Sequence, residues 1–200
     1  MIKAIVFDWG GVLIDHPVAE MNSYCAQALD VDIKLLMQTF LKYKTSYQKA
    51  LITEDEVWQK IINEIGGNKP NTSSLCREAL QASYSPKKEM FDLARNLKNN
   101  GYKTGLLSNT EIPMMGFFKE QKYDMFDVTV FSCAEGTVKP EQKIYEILLN
   151  RLEVDASEAV FIDDIQEFIN GAQNIGMKTI LFESPEQVRK ELDLFGVKTF

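Results

Sequence analysis

The chain has 200 residues, 45% hydrophobic and 26% charged, with 11 glycines and 6 prolines. That is the make-up of a globular protein of about one domain with room for an insertion, and it excludes disordered, collagenous and low-complexity readings. Lys and Arg number 22 against 29 Asp and Glu, a formal net charge of -7, which disfavours nucleic acid as a partner while leaving room for a small phosphorylated ligand.

Ala4-Ile5-Val6-Phe7 is a short apolar run that reads as a buried strand ending at Asp8. Residues 16–85 then carry helical spacing without a convincing strand: Leu35, Leu36, Thr39, Phe40 and Tyr43, followed by Val57, Trp58, Ile61, Ile62 and Ile65. Gly66 to Thr72 is a turn inside this helical insertion, and Tyr84-Ser85-Pro86 is its return hinge. Tyr43, Lys44, Tyr47 and Gln48 are expected on a solvent-facing helix surface.

Beyond the hinge, helix and strand alternate. Helices are expected over Lys88–Asn99, Met114–Gln121, Glu141–Leu152 and Ile169–Ile175, and strands over Lys103–Leu107, Val128–Phe131, Ala159–Ile162 and Thr179–Phe182. Gly101 and Gly176 each follow a helix and precede a strand, as helix-ending glycines do. Continuously apolar strands alternating with helices indicate an α/β fold, a parallel sheet with helices on both faces. The final residues, Leu194 to Phe200, form either a closing strand or a docked tail.

Three cysteines, Cys25, Cys76 and Cys133, are odd in number and lack a CxxC pair, so neither a disulfide scaffold nor a thiolate zinc site is expected. The one histidine, His16, excludes sites built on two imidazoles. No run approaches the roughly 18 apolar residues of a membrane span, and Asp8 interrupts the opening apolar run too early for a signal peptide. The expected setting is cytoplasmic, with no membrane partner. No heptad pattern fixes an oligomeric state.

Four strand ends carry polar groups: Asp8, then Ser108-Asn109, Lys139-Pro140 beyond the third strand, and Asp163-Asp164. Singly, each has an ordinary reading as a turn or cap; Ser108-Asn109-Thr110 alone would cap the helix beginning near Ile112. In a parallel sheet, however, all these ends converge on one edge, where open α/β sheets bind ligands. Carboxylate oxygens there suit a hard cation such as Mg²⁺, while a lysine and a hydroxyl suit phosphoryl oxygens.

Phe7-Asp8-Trp9-Gly10-Gly11-Val12-Leu13, Leu107-Ser108-Asn109, Val138-Lys139-Pro140 and Phe161-Ile162-Asp163-Asp164 resemble, in order, the four motifs of the haloacid dehalogenase-like hydrolase superfamily. The resemblance implies a Rossmann-like three-layer core over residues 1–15 and 86–200, with residues 16–85 as a helical cap inserted after the first strand. It also implies a Mg²⁺-dependent phosphatase of small phosphorylated metabolites. Asp8 would be the nucleophile, forming an aspartyl-phosphate. Asp8, the Gly10 backbone carbonyl, Asp163 and Asp164 would hold Mg²⁺. Ser108, Asn109 and Lys139 would bind phosphate, with Lys139 also screening the carboxylates.

The sequence departs from the family pattern at Gly10, where most phosphatases carry a second aspartate that protonates the leaving oxygen. Loss of such a group costs about 10²–10⁴ in rate. A glycine there also occurs in members resembling sugar-phosphate phosphatases, and it favours a substrate whose leaving group departs without much protonation, such as a sugar 1-phosphate, an acyl phosphate or an aryl phosphate. Asp15 and His16 are substitute acid–base groups or, preferably, a hinge turn before Pro17. Phe168 replaces a polar residue that the family often has after the last motif, and is expected to pack on the core. Trp9 lines the crevice or joins the core; Met114, Met115, Phe117 and Phe118 are helix packing. Two alternatives remain: a non-catalytic module binding a phospholigand or a protein, and, less favoured, a 2-haloacid dehalogenase.

Overall fold

The computed structural model describes residues 1–199. β1 (Ala4–Phe7), β2 (Lys103–Ser108), β3 (Val128–Phe131), β4 (Ala159–Asp163) and β5 (Lys178–Leu181) form one sheet in the order β3-β2-β1-β4-β5, every pair parallel. β1 is central because both its faces are apolar: Ile5 and Phe7 point to one side, Ala4 and Val6 to the other, all fully buried. Strand order reverses across β1 and β4, so the carboxyl ends of these two strands flank the switch point where such sheets take ligands.

The first face is covered by α5 (Lys88–Asn99), α6 (Ile112–Glu120) and α10 (Pro185–Leu194), through Met90, Leu93, Leu97, Phe118, Val188 and Leu192. The opposite face is covered by α8 (Gln142–Leu152) and α9 (Gln166–Asn174), through Ile144, Tyr145, Leu148, Leu152, Ile169 and Ala172. A short helix, α7 (Ser132–Glu135), follows β3. Gly171 lets α9 approach the loop before α8, for a Cβ there would meet Pro140 Cβ and the Tyr145 hydroxyl at 2.8 Å.

Four helices lie between β1 and α5: α1 (Val18–Leu29), α2 (Ile33–Gln48), α3 (Glu54–Ile65) and α4 (Leu75–Ser83). Their starts are written in the sequence. Asp32 accepts from Leu35 N, Ser74 accepts from Arg77 N, and Thr53 forms a reciprocal capping box with Glu56. They pack around their own apolar cluster, including Leu29, Leu36, Trp58, Ile61 and Leu75. The chain leaves and re-enters the sheet layer along two segments joined by an antiparallel bridge between Ile14 and Pro86: Asp15 N donates to Ser85 O (2.9 Å) and Lys87 N to Leu13 O (2.8 Å). The Asp15 carboxylate closes this crossing, accepting from Ser85 Oγ (2.6 Å) and Lys87 Nζ (2.7 Å).

Two expectations are corrected. Tyr47 and Gln48 are buried, because the last turn of α2 packs inward against α4 and the loop after β2 rather than facing solvent. β1, β3 and α5 have the expected bounds, whereas the other expected strands and helices differ at one or both ends by one to three residues; β2 and β4 extend through Ser108 and Asp163, which places those side chains on the sheet itself. The terminal segment, as far as it is described, is a docked tail: Lys198 N donates to Tyr102 Oη (3.0 Å) and Asn100 Nδ2 to Lys198 O (3.1 Å). Phe200 lies outside the described residues. No helix among them is long and apolar enough to cross a membrane, and all three cysteines are free and buried.

Candidate active site

Register brings the first and last motifs together. Phe7 pairs with Ile162, and Asp8 N continues the ladder to Ile162 O (2.9 Å), so Asp8 and Asp163 leave neighbouring strand ends side by side. Lys139, buried to 2% exposure, reaches between them: its Nζ is 2.8 Å from Asp8 Oδ1 and 2.6 Å from Asp163 Oδ2. Asp163 is anchored further by Ile165 N, which donates to its Oδ1 (2.8 Å). Both flanking carboxylates hold the ammonium charged, raising its pKa against the opposing effect of burial. Burial pushes the Asp8 carboxyl upward, and the nearby Asp163 charge adds to this, while Lys139 and the Trp9 backbone N–H oppose it.

Asp8, Asp163 and Asp164 offer oxygens that all lie within 4.8 Å of one another. Three carboxylates against one ammonium leave an excess of buried negative charge. Asp164 Oδ1 is buried without a hydrogen-bond partner, and burial together with the Asp163 charge raises its pKa. An all-oxygen set with an orphaned carboxylate oxygen is the donor chemistry of a hard divalent cation. Gly11 is required for this arrangement: its φ is +89°, and a Cβ there would lie 2.2 Å from Asp164 Oδ2.

A cavity opens above Asp8, and Gly10, Ser108, Asn109 and Lys139 line it as well. Asn109 does not cap α6; the residue preceding that helix is Glu111, which makes no side-chain cap, and Asn109 instead binds the Lys139 backbone. The loop is held from below by the fully buried Ser132, whose hydroxyl accepts from Thr110 N (2.9 Å) and donates to Thr110 O (3.1 Å). Ser108, Asn109, Lys139, Asp8 and Gly10 thus meet on one wall. Asp163 lies behind Lys139, and Asp164 lies beside Gly11.

Phe168 and Trp9 fall where the sequence reading put them, on the core and at the crevice, while the aromatic contacts of Lys139 and the burial of Glu111 escaped it. The Phe168 ring packs on the core and also lines the cavity, 4.8 Å from Lys139 Nζ, while Phe161 lies 5.4 Å from it; a cation over aromatic faces is favoured. Trp9 is buried edge-on against Phe118 (5.2 Å) and also lines the cavity. Glu111 is buried in the same wall with no ion pair among the described residues, and burial pushes its carboxyl up to about 7. Only the strand-end position of Ser108-Asn109 hinted at Glu111; its burial depends on α2 closing over it.

Comparison with known proteins places this arrangement. The chain is 29% identical over 203 residues to acyl-CoA dehydrogenase family member 10 of Mus musculus, covering 96% of this chain but 19% of that protein, so it spans about a fifth of that relative. It is 28% identical over 180 residues to the sesquiterpene phosphatase astK of Aspergillus oryzae, covering 88% of this chain and 87% of that one. The magnesium complex of the HAD family enzyme bt-2542 of Bacteroides thetaiotaomicron superposes with a TM-score of 0.76 at 23% identity, covering 91% of this chain and 93% of that one. The model of the haloacid dehalogenase-like hydrolases matches residues 2–176, a span that takes in all four strand ends gathered around Lys139, and the chain belongs to that hydrolase family.

Proposed function

We propose that the chain is a Mg²⁺-dependent phosphatase of small phosphorylated metabolites that works through an aspartyl-phosphate. The observation that carries this reading is Lys139, whose ammonium bridges Asp8 and Asp163 (2.8 and 2.6 Å) at the floor of a cavity lined by Ser108 and Asn109. Residues 1–15 and 86–200 form the catalytic core in this reading, and residues 16–85 the cap. The likeness to a sesquiterpene phosphatase supports phosphate-ester chemistry, and the magnesium complex of bt-2542 supports the choice of ion.

In this reading Asp8, the Gly10 carbonyl, Asp163 and Asp164 would hold the ion. Bound there, Mg²⁺ supplies charge neutralisation for the phosphoryl oxygens and the carboxylates. Asp8 attacks phosphorus in line through a carboxylate oxygen; the bond to the leaving oxygen breaks, and water later cleaves the acyl phosphate to regenerate Asp8. Lys139 keeps Asp8 oriented and compensates charge as the phosphoryl group arrives, while Ser108 and Asn109 donate to its remaining oxygens.

With glycine at position 10, no carboxyl group stands two residues after Asp8 to protonate the leaving oxygen. The reading therefore favours an ester whose leaving oxygen departs without much protonation: a sugar 1-phosphate, an acyl phosphate or an aryl phosphate. Three free buried cysteines fit a reducing, cytoplasmic setting.

The test is phosphate release from a panel of phosphomonoesters, with and without Mg²⁺, for the wild type and Asp8→Asn. Turnover that needs the ion and disappears in Asp8→Asn is the expected result. Phosphate release that survives the substitution would remove Asp8 from the nucleophile role, and no release from any ester would leave a phospholigand-binding module as the reading.

A further inference from the structure

The cavity above Asp8 extends well beyond a phosphate site. It has a volume of about 260 Å³ and runs from the strand ends up between α1, α2, α3, α4 and α6. Its polar groups come from the strand ends, from α1 and α2 and from the segments just before α1 and α6. Ser108, Asn109 and Lys139 lie at the floor, and Lys44, Gln48 and Glu111 lie along the side. Gln48 is already engaged, its Nε2 donating to Asn109 O (3.4 Å). His16, Asn22 and Thr110 line it as well, and most of the remaining wall is apolar, including Met21, Leu36, Phe40, Trp58, Leu80 and Met114.

The rim continues this character. Val18, Met37 and Leu41 line the cavity while remaining 46%, 41% and 66% exposed. Apolar side chains left in water at the mouth of an apolar cavity gain by covering from a ligand, at about 25 cal/mol per Å². A sugar body fits such a wall poorly, since each buried hydroxyl without a partner costs roughly 1–3 kcal/mol. A hydrocarbon body gains about 0.8 kcal/mol for each methylene buried.

We infer that the ester cleaved at Asp8 carries an apolar body, a hydrocarbon chain or ring system, seated between α1, α2 and α4 with its phosphate on Ser108, Asn109 and Lys139. The inference rests on the phosphatase reading and narrows it. Among the leaving groups that tolerate Gly10, an aryl oxygen is the one that also belongs to an apolar body. Sugar phosphates become poor substrates.

Two measurements separate this inference from the reading beneath it. In the first, kcat/KM is compared for glucose 1-phosphate, phenyl phosphate and 2-naphthyl phosphate. The order naphthyl over phenyl over glucose is expected, with at least about a 10-fold step for the second ring, because small apolar additions in a fitted pocket are worth roughly 10–200-fold. Glucose 1-phosphate cleaved as well as naphthyl phosphate would overturn the apolar body and leave the phosphatase reading standing.

The second measurement needs no turnover. The chain has two tryptophans, Trp9 and Trp58, and both line this cavity, so their emission reports occupancy. Butyl-, hexyl- and octylphosphonate are titrated in the presence of Mg²⁺. Affinity should climb with chain length, and Leu41→Lys at the exposed rim should flatten the climb for octylphosphonate. Length-dependent binding with no hydrolysis of any ester would retire the phosphatase reading and keep an apolar-bodied phospholigand as the occupant. Affinity independent of chain length overturns the inference whatever the hydrolysis panel shows.

Discussion

The carboxamide of Asn109 holds the backbone of Lys139 from both sides: Lys139 N donates to Asn109 Oδ1 at 2.8 Å, and Asn109 Nδ2 donates to Lys139 O at 2.9 Å. A residue that resembles a phosphate binder is therefore also the clamp that sets the height of the lysine between Asp8 and Asp163. Two reciprocal bonds to the N–H and the C=O of one residue fix the two peptide units on either side of its Cα.

Asn109→Ala should destabilise the fold by roughly 1–3 kcal/mol, the cost of leaving part-buried backbone groups unpaired. It should also lower activity through a displaced Lys139. Urea unfolding at neutral pH gives the first quantity. An unchanged midpoint would mean that the Ser132 clamp on Thr110 holds the loop by itself.

Lys139→Met removes the cation that bridges the buried carboxylates of Asp8 and Asp163. Breaking such a pair from one side costs about 3–5 kcal/mol, because the remaining charges stay buried and uncompensated. In chelator-treated protein, Lys139→Met should therefore be strongly destabilised, and adding Asp163→Asn should recover part of the loss. If the double variant proved less stable than Lys139→Met alone, the Ile165 N–H bond to Asp163 would outweigh charge relief.

How far the sequence revealed all this depends on which residues are considered. Ala4 to Phe7 and Ala159 to Ile162 are apolar on both faces, so a central parallel sheet was legible, and with it the convergence of Asp8, Ser108, Lys139 and Asp163. The caps at Asp32, Thr53 and Ser74 are local as well, although the helical spacing alone did not single them out. What stayed hidden depends on contacts between distant segments. Tyr47 and Gln48 have no local reason to be buried until α4 and the loop after β2 close on them. Phe168 is an apolar residue like any other until Lys139 is threaded beneath its ring. The apolar cavity wall is assembled from six helices, none of which shows it alone.

Gly10 can be tested by placing a carboxyl group there. The backbone at Gly10 is not in the left-handed region, and a Cβ would meet only Pro17 Cδ at 3.8 Å, an ordinary contact. Gly10→Asp should therefore fold, with a Tm close to that of the wild type. A carboxyl beside the leaving oxygen should raise turnover of simple alkyl phosphates by up to about 10²-fold, and that of aryl phosphates much less, since general acid catalysis helps poor leaving groups most. Equal gains for both ester classes would indicate that the new carboxyl acts on the charge of the site rather than by proton transfer.

Glu111 ties stability to pH. It is 4% exposed, and its burial outweighs the favourable Gln48 contact and Lys44 charge, helped by the like charge of Glu54, so its carboxyl titrates at about 7 rather than in the usual range. Tyr47, Cys76 and Cys133 also face it, their acidity already suppressed by burial and by its negative charge. Below the unfolded pKa the carboxyl is protonated in both states. As pH rises toward 7, the unfolded chain gives up the proton while the folded chain keeps it, and stability is lost through that window. The full penalty, roughly 3 kcal/mol at about 1.4 kcal/mol per pKa unit, is present above pH 8. Glu111→Gln removes the ionisation and keeps the size. Its stability relative to the wild type should be flat below about pH 4.5, rise between pH 5 and 7, and level off near 3 kcal/mol in its favour, as read from denaturant unfolding across that range. A difference that stays constant with pH would show that Glu111 titrates normally and that water reaches it from the cavity.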